Sequence, residues 1–141
     1  MQYLLDTNII IKHLRRQQKV DPRWLEKECG VSLFTYAELL YGCYRSANPL
    51  HEQRILDETL ELLDISVVDI GLKEIELYIQ IKVNLEKKGQ KPEDFDLLIA
   101  ATALGQDLTL ITNNAKHFKR ISGLRVLATE PEALPLPDHS H

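Results

Sequence analysis

The stretch YLLDTNIIIKHL, residues 3–14, reads as a short strand that turns directly into a helix. Tyr3 to Leu5 form an apolar run that stops at Asp6, and TNIIIKHL takes up helical spacing from about Thr7. The same strand-then-helix alternation recurs along the chain. Asp21-Pro22 opens a helix, with Asp as N-cap and Pro at the first helical position, expected to run to about Glu28 and stop near Gly30. GVSLF, 30–34, reads as a second strand, and Thr35 to Ser46 as a helix with Leu39, Leu40 and Cys43 on one face.

Asn48-Pro49 starts the next helix, through about Leu63, and the β-branched ISVVDI, 65–70, reads as a strand. Leu72 to Lys88 reads as a long helix closed by Gly89, with apolar Ile75, Ile79 and Val83 among charges. DFDLLIAATALG, 94–105, is helical and apolar on all sides from Leu97 to Ala101, which predicts a central, buried helix. LTLIT, 108–112, is a strand, NAKHFKRI, 114–121, a short helix, and RVLA, 125–128, a last strand. Strands alternating with helices predict an α/β fold, a parallel sheet of four or five strands covered on both faces.

Length and composition agree. The chain has 141 residues, 17 Lys plus Arg against 21 Asp plus Glu, and a formal charge of −4. That length suits one domain, here 1–130. The tail 131–141 carries three prolines without periodicity and is expected to be a flexible arm. His139 and His141 within it are read as solvated. No apolar run approaches the ~18 residues of a membrane span, and Asp6 interrupts any secretory signal. Two cysteines, Cys29 and Cys43, neither build a disulfide framework nor have zinc-ligand spacing; they read as small buried hydrophobes. A reducing cytoplasm is the expected compartment. The acidic balance argues against coating nucleic acid by bulk charge.

Candidate site residues follow from the topology, because sites in open α/β sheets gather outside the carboxyl ends of the strands. Asp6 ends the first strand, Asn113 and Asn114 follow LTLIT, Glu38 lies just beyond GVSLF, and Asp94 and Asp96 open the buried helix. Each has a plainer reading. Asp6 can cap the helix after it. Thr35-Tyr36-Ala37-Glu38 matches a capping box. Asn suits a strand-to-helix turn, and Asp94 suits an N-cap. Asp96 is more telling, since a carboxylate at the mouth of an apolar helix needs a charge partner or a metal. Asp57, Glu58 and Glu61, like Glu86, Lys87 and Lys88, read as solvated charge.

Carboxylate oxygens select hard cations such as Mg²⁺ or Mn²⁺. No GxGxxG, GxxxxGK[ST] or GxSxG occurs. Acids holding a hard metal without nucleotide-binding motifs suit phosphodiester hydrolysis, with metal polarising a phosphoryl oxygen and activating water. Two basic clusters, Arg15, Arg16, Lys19 and Arg23, and Lys116, His117, Lys119 and Arg120, are available for a nucleic-acid backbone. The second lies nearer the proposed site.

Four motifs in order, LLDTNIII at 4–11, TYAELLYG at 35–42, FDLLIAATAL at 95–104 and LITNNAKHF at 110–118, resemble PIN-domain ribonucleases, and within them VapC-type toxins of type II toxin–antitoxin modules. The resemblance extends to about Thr129. It implies a three-layer α/β/α sandwich and a Mg²⁺- or Mn²⁺-dependent endoribonuclease acting on structured RNA such as tRNA or rRNA. It implies a cognate antitoxin and a homodimer. By position, Asp6, Glu38 and Asp96 match the metal-holding acids, and Asn114 a fourth catalytic position that is Asp in many members. Thr112 matches a hydroxyl beside the site and joins Lys116, Lys119 and Arg120 as a candidate for substrate contact. Asp94 has no counterpart. Phe34, Tyr36, Leu40, Tyr41 and Tyr44 lie on or beside one helix and suit a groove or dimer face.

Alternatives are a housekeeping PIN nuclease without an antitoxin, and an interaction module that lost its chemistry, which Asn114 keeps open. A phosphatase of the haloacid dehalogenase type would need Asp two residues after Asp6, where Asn8 stands.

Overall fold

A computed structural model describes residues 1–129. The prolines and histidines of the tail lie outside the described residues. Five parallel strands, β1 (Tyr3–Leu5), β2 (Cys29–Ser32), β3 (Ser66–Val68), β4 (Thr109–Thr112) and β5 (Val126–Ala128), form one sheet in the order β3-β2-β1-β4-β5. The helices are α1 (Thr7–Leu14), α2 (Pro22–Leu25), α3 (Leu33–Tyr44), α4 (Pro49–Leu62), α5 (Leu72–Lys87), α6 (Asp94–Gly105) and α7 (Ala115–Phe118).

The chain steps outward from β1 to β3, then crosses back over β1 to β4 and β5. Right-handed crossovers running in opposite directions place their helices on opposite faces. Period-two alternation in the strands supplies both faces. Leu5, Val31 and Ile111 join one buried cluster with residues of α1, α3 and α4, such as Ile10, Leu39, Leu56 and Leu60. Their neighbours Leu4 and Leu110 join the other, with Leu85 of α5, Leu97, Ile99 and Ala100 of α6, and Phe118 of α7. The result is the expected α/β/α sandwich. From Leu97 to Ala103, α6 is buried except at Leu98, so its apolar run is central as its composition requires.

Two boundaries and one helix face differ from expectation. The helix at Asp21-Pro22 makes one turn and ends at Leu25; Glu28 turns with φ 60°, and Cys29 is already paired with Tyr3 in β2. Sheet registry overrides helix propensity there. The strand read as GVSLF stops at Ser32, which caps α3 by accepting from the Thr35 backbone N–H at 2.9 Å. The helix therefore begins two residues before Thr35, and the capping box expected of Thr35 and Glu38 does not form. On α5, Ile75, Ile79 and Val83 are exposed, and the helix buries Glu74 and Leu85 instead.

Candidate active site

Because β1 has one outward-stepping series on each side, the switch point of the sheet lies between β1 and β4. Asp6 leaves the end of β1 there, its backbone N–H still donating to Ile111 of β4 at 2.9 Å. One Asp6 oxygen caps α1 by accepting from the Thr7 N–H at 2.8 Å. The other accepts from the Thr112 hydroxyl at 2.7 Å. The capping reading and the site reading are thus both satisfied by one side chain, which is only 7% exposed.

Glu38 comes from the second turn of α3. Its Oε1 accepts from Thr7 Oγ1 at 2.6 Å, and the Thr7 oxygen also lies 3.0 Å from Thr35 Oγ1. Asp96 comes from the first turn of α6 and meets His117 of α7, Oδ2 to Nε2, at 3.2 Å. Asn114 is the N-cap residue of α7 without a side-chain capping bond, and it is exposed. Asp6, Glu38, Asp96 and Asn114 line one cleft of about 630 Å³, with Thr7, Asn8, Ile11, Tyr41 and Phe95 in its walls.

Burial is the main influence on all three acids and pushes each above the ordinary carboxylate range. Nearby Asp6 adds to the rise at both Glu38 and Asp96. Hydrogen bonds from Thr112 and Thr7 oppose the rise at Asp6, and His117 opposes it at Asp6 and Asp96. Three carboxylates that share one cleft and raise one another's charge cost form a site that a hard cation would relieve, and every donor is an oxygen. Among the described residues, no three His, Cys, Asp or Glu side chains converge on one point. The acids line the cleft while tied to Thr7, Thr112 and His117. Their donor chemistry fits a divalent cation.

Other candidates fall elsewhere. Thr112 is fully buried, with its oxygen bonded to Asp6 and to the Asn114 N–H at 2.9 Å, so it supports the site and cannot face a substrate. Lys116 and Lys119 are exposed on α7 and its C-cap. Arg120 is half-buried and turned inward, donating to Gln90 Oε1 at 2.9 Å, which removes it from a free phosphate-binding surface. Asp94 is outside the cleft, bonded to Tyr78 and Lys82. Asn113 accepts from Thr129 Oγ1. Thr7, Asn8 and Phe95 were not singled out by sequence reasoning; their adjacency to Asp6 and Asp96 was the available signal. Tyr41 and Tyr44 are exposed, and Tyr41 carries Arg45 over its ring at 5.7 Å.

A parallel sheet with one buried and two half-buried acids at its switch point defines a class, α/β domains with an acidic cleft suited to a hard cation. The PIN domain family matches residues 3–124. The chain is 36% identical over 129 residues to "Ribonuclease VapC2" of Rickettsia felis, covering 88% of this chain and 95% of that protein. It is 30% identical over 129 residues to "tRNA(fMet)-specific endonuclease VapC" of Shigella flexneri, covering 89% of this chain and 96% of that one. The crystal structure of VapBC2 from Rickettsia felis bound to a promoter DNA fragment superposes with a TM-score of 0.83 at 32% identity, over 92% of this chain and 100% of that chain. VapBC-1 from nontypeable Haemophilus influenzae gives 0.82 at 31% identity, over 91% and 98%. The chain belongs to the PIN-domain family, among the VapC ribonucleases.

Proposed function

We propose that this chain is a metal-dependent endoribonuclease, the toxin of a toxin–antitoxin pair, that hydrolyses phosphodiester bonds in structured RNA such as tRNA or rRNA. The observation that carries the chemistry is the placing of Asp6, Glu38 and Asp96 around one cleft at the switch point of the sheet. Relatives named as ribonucleases and as a tRNA-specific endonuclease support the substrate class. Similar folds solved as VapBC complexes support an antitoxin partner.

Asp6, Glu38 and Asp96 would hold Mg²⁺ or Mn²⁺, with the Asn114 amide oxygen assisting. When bound, such an ion supplies Lewis-acid polarisation of a phosphoryl oxygen and an acidified water. The protein's own part is to hold the acids in place. Thr112 and the Thr7 N–H orient Asp6, the Thr7 hydroxyl orients Glu38, and burial of Asp6 keeps bulk water from screening that carboxylate. Lys116 and Lys119 stand on the exposed side of α7, where they can meet the RNA backbone. Asn114 leaves three formal carboxylates, which favours one tightly held ion over two. The protein works as a homodimer in the cytoplasm, where RNA and antitoxin are found.

The test uses the purified chain, free of antitoxin, with total bacterial RNA and Mg²⁺ or Mn²⁺, and maps new 5′ ends. Discrete cuts that vanish with EDTA and in Asp96→Asn are expected. Cleavage that persists in Asp96→Asn would falsify the assignment of the site.

A further inference from the structure

The basic run of α7 is not a uniform surface. Lys116 and Lys119 point outward, whereas His117 and Arg120 turn in. His117 Nε2 lies 3.2 Å from Asp96 Oδ2 and 3.2 Å from Arg120 Nη2. Arg120 Nη1 donates to Gln90 Oε1 at 2.9 Å, and its Nε is buried without a partner among the described residues. The imidazole is edge-on to Phe118, ring centroids 5.5 Å apart at 86°, and Phe118 is itself buried in the core. A continuous contact chain therefore runs from the turn after α5 through Gln90, Arg120 and His117 to Asp96.

We propose that His117 is a positioning residue for Asp96, and that Arg120, anchored by Gln90, positions His117. This rests on the reading of Asp96 as a metal-holding acid. One ring nitrogen cannot serve both neighbours with a hydrogen bond. With Nε2–H it donates to Asp96; with a bare Nε2 it turns a lone pair on the carboxylate. The first arrangement places a proton between ring and anion, and Arg120 and Phe118 then wall the ring into its orientation. Asp96 needs such a brace more than Asp6 does. Asp6 has bonds from a buried threonine and a backbone amide, whereas His117 is the one side chain within ion-pair distance of Asp96 among the described residues. Partners that orient a ligating group commonly change metal affinity about 10- to 100-fold when removed.

Arg120 thus acts inward, not on the substrate. The two roles predict different behaviour, because groups acting in series are non-additive and independent groups are additive.

The experiment measures Mn²⁺ binding by calorimetry, with RNA cleavage kinetics alongside, for the full chain and for His117→Ala, His117→Gln, Arg120→Met and the His117→Ala/Arg120→Met pair. Thermal melts in EDTA establish folding. If Arg120→Met does not fold, Gln90→Ala releases the guanidinium from its other end. The expected result is Mn²⁺ binding weakened about 10-fold or more in His117→Ala. Arg120→Met should weaken it less, the double variant should match His117→Ala, and His117→Gln, which keeps an N–H for Asp96, should recover part of the loss. Unchanged Mn²⁺ affinity in folded His117→Ala overturns the proposal. So does a rise in KM for RNA in Arg120→Met with intact Mn²⁺ binding, because that marks a direct substrate contact. A wild-type chain that neither binds Mn²⁺ nor cleaves RNA removes the proposed function itself, and this inference falls with it.

Discussion

The Thr112 hydroxyl donates to Asp6 Oδ2 at 2.7 Å, joining the ends of β1 and β4 across 106 residues of sequence. The same oxygen accepts the Asn114 N–H at 2.9 Å, so one buried hydroxyl orients an acid and shapes the turn that presents the next site residue. Thr112→Val keeps the shape and removes both bonds. A destabilisation of about 1–3 kcal/mol is expected, because a buried acceptor and a backbone donor lose their partner. Cleavage should fall with it, and Thr112→Ser should retain most of both. Urea unfolding and RNA cleavage check this; a neutral Thr112→Val would mean that Asp6 is held by its backbone bond alone.

Glu38 bears the cost of standing near Asp6 and Asp96. Burial and those charges make its folded-state carboxyl hold a proton more tightly than the unfolded chain does. The folded state therefore binds more protons in this window, and stability falls as pH rises above 4.5, the ordinary value. Glu38→Gln keeps an acceptor for Thr7 and removes the charge. Metal-free Glu38→Gln should melt higher than wild type at neutral pH, and the difference should vanish in acid, where both are uncharged. A lower melting temperature at neutral pH would show that charge on the Thr7 bond outweighs repulsion.

Gly105, the last residue of α6, packs directly against Glu74 of α5. A Cβ there would fall 2.7 Å from Glu74 Cγ and closer still to its carboxylate. Glu74 is buried and accepts from the Gly71 N–H at 2.8 Å, closing the start of α5. Gly105→Ala should cost about 1–3 kcal/mol through overpacking and loss of that cap. Adding Glu74→Ala should cost less than the sum of the two single changes. Thermal melts of the four proteins settle the coupling.

Both cysteines are expected to be inert in the native protein. Burial pushes the Cys29 thiol up to about 11 and also raises Cys43. The thiolate is the reactive form, so iodoacetamide at mildly alkaline pH should leave both unmodified until denaturant is added. The linked stability loss for Cys29 begins as pH climbs above 9.0 toward that raised value. Mass spectrometry reads the outcome, and rapid native labelling of Cys29 would show that the β1–β2 pairing opens locally.

Much of this architecture was legible without coordinates. The apolar run before Asp6, the Asn48-Pro49 helix start, the Gly89 stop with its φ of 76°, and the all-round apolar face of α6 are local signals with local causes. Their order carries the parallel topology, which in turn sends Asp6, Glu38, Asp96 and Asn114 toward one end of the sheet. Thr35 and Glu38 have capping-box spacing, which competes locally with the reading of Glu38 as a site residue. Ser32 takes the cap, which leaves Glu38 to Thr7, 31 residues away.

The sequence by itself determined the periodicities, the stops and the oxygen-rich character of the site, since these depend on neighbours within a few residues. Tertiary structure alone decided which hydroxyl holds which acid, why α2 ends after one turn, and that Arg120 faces Gln90 and not solvent. Those outcomes depend on strand registry and on contacts between segments tens of residues apart. Short-range spacing carries no record of them, because the partners meet only once the sheet has closed around β1.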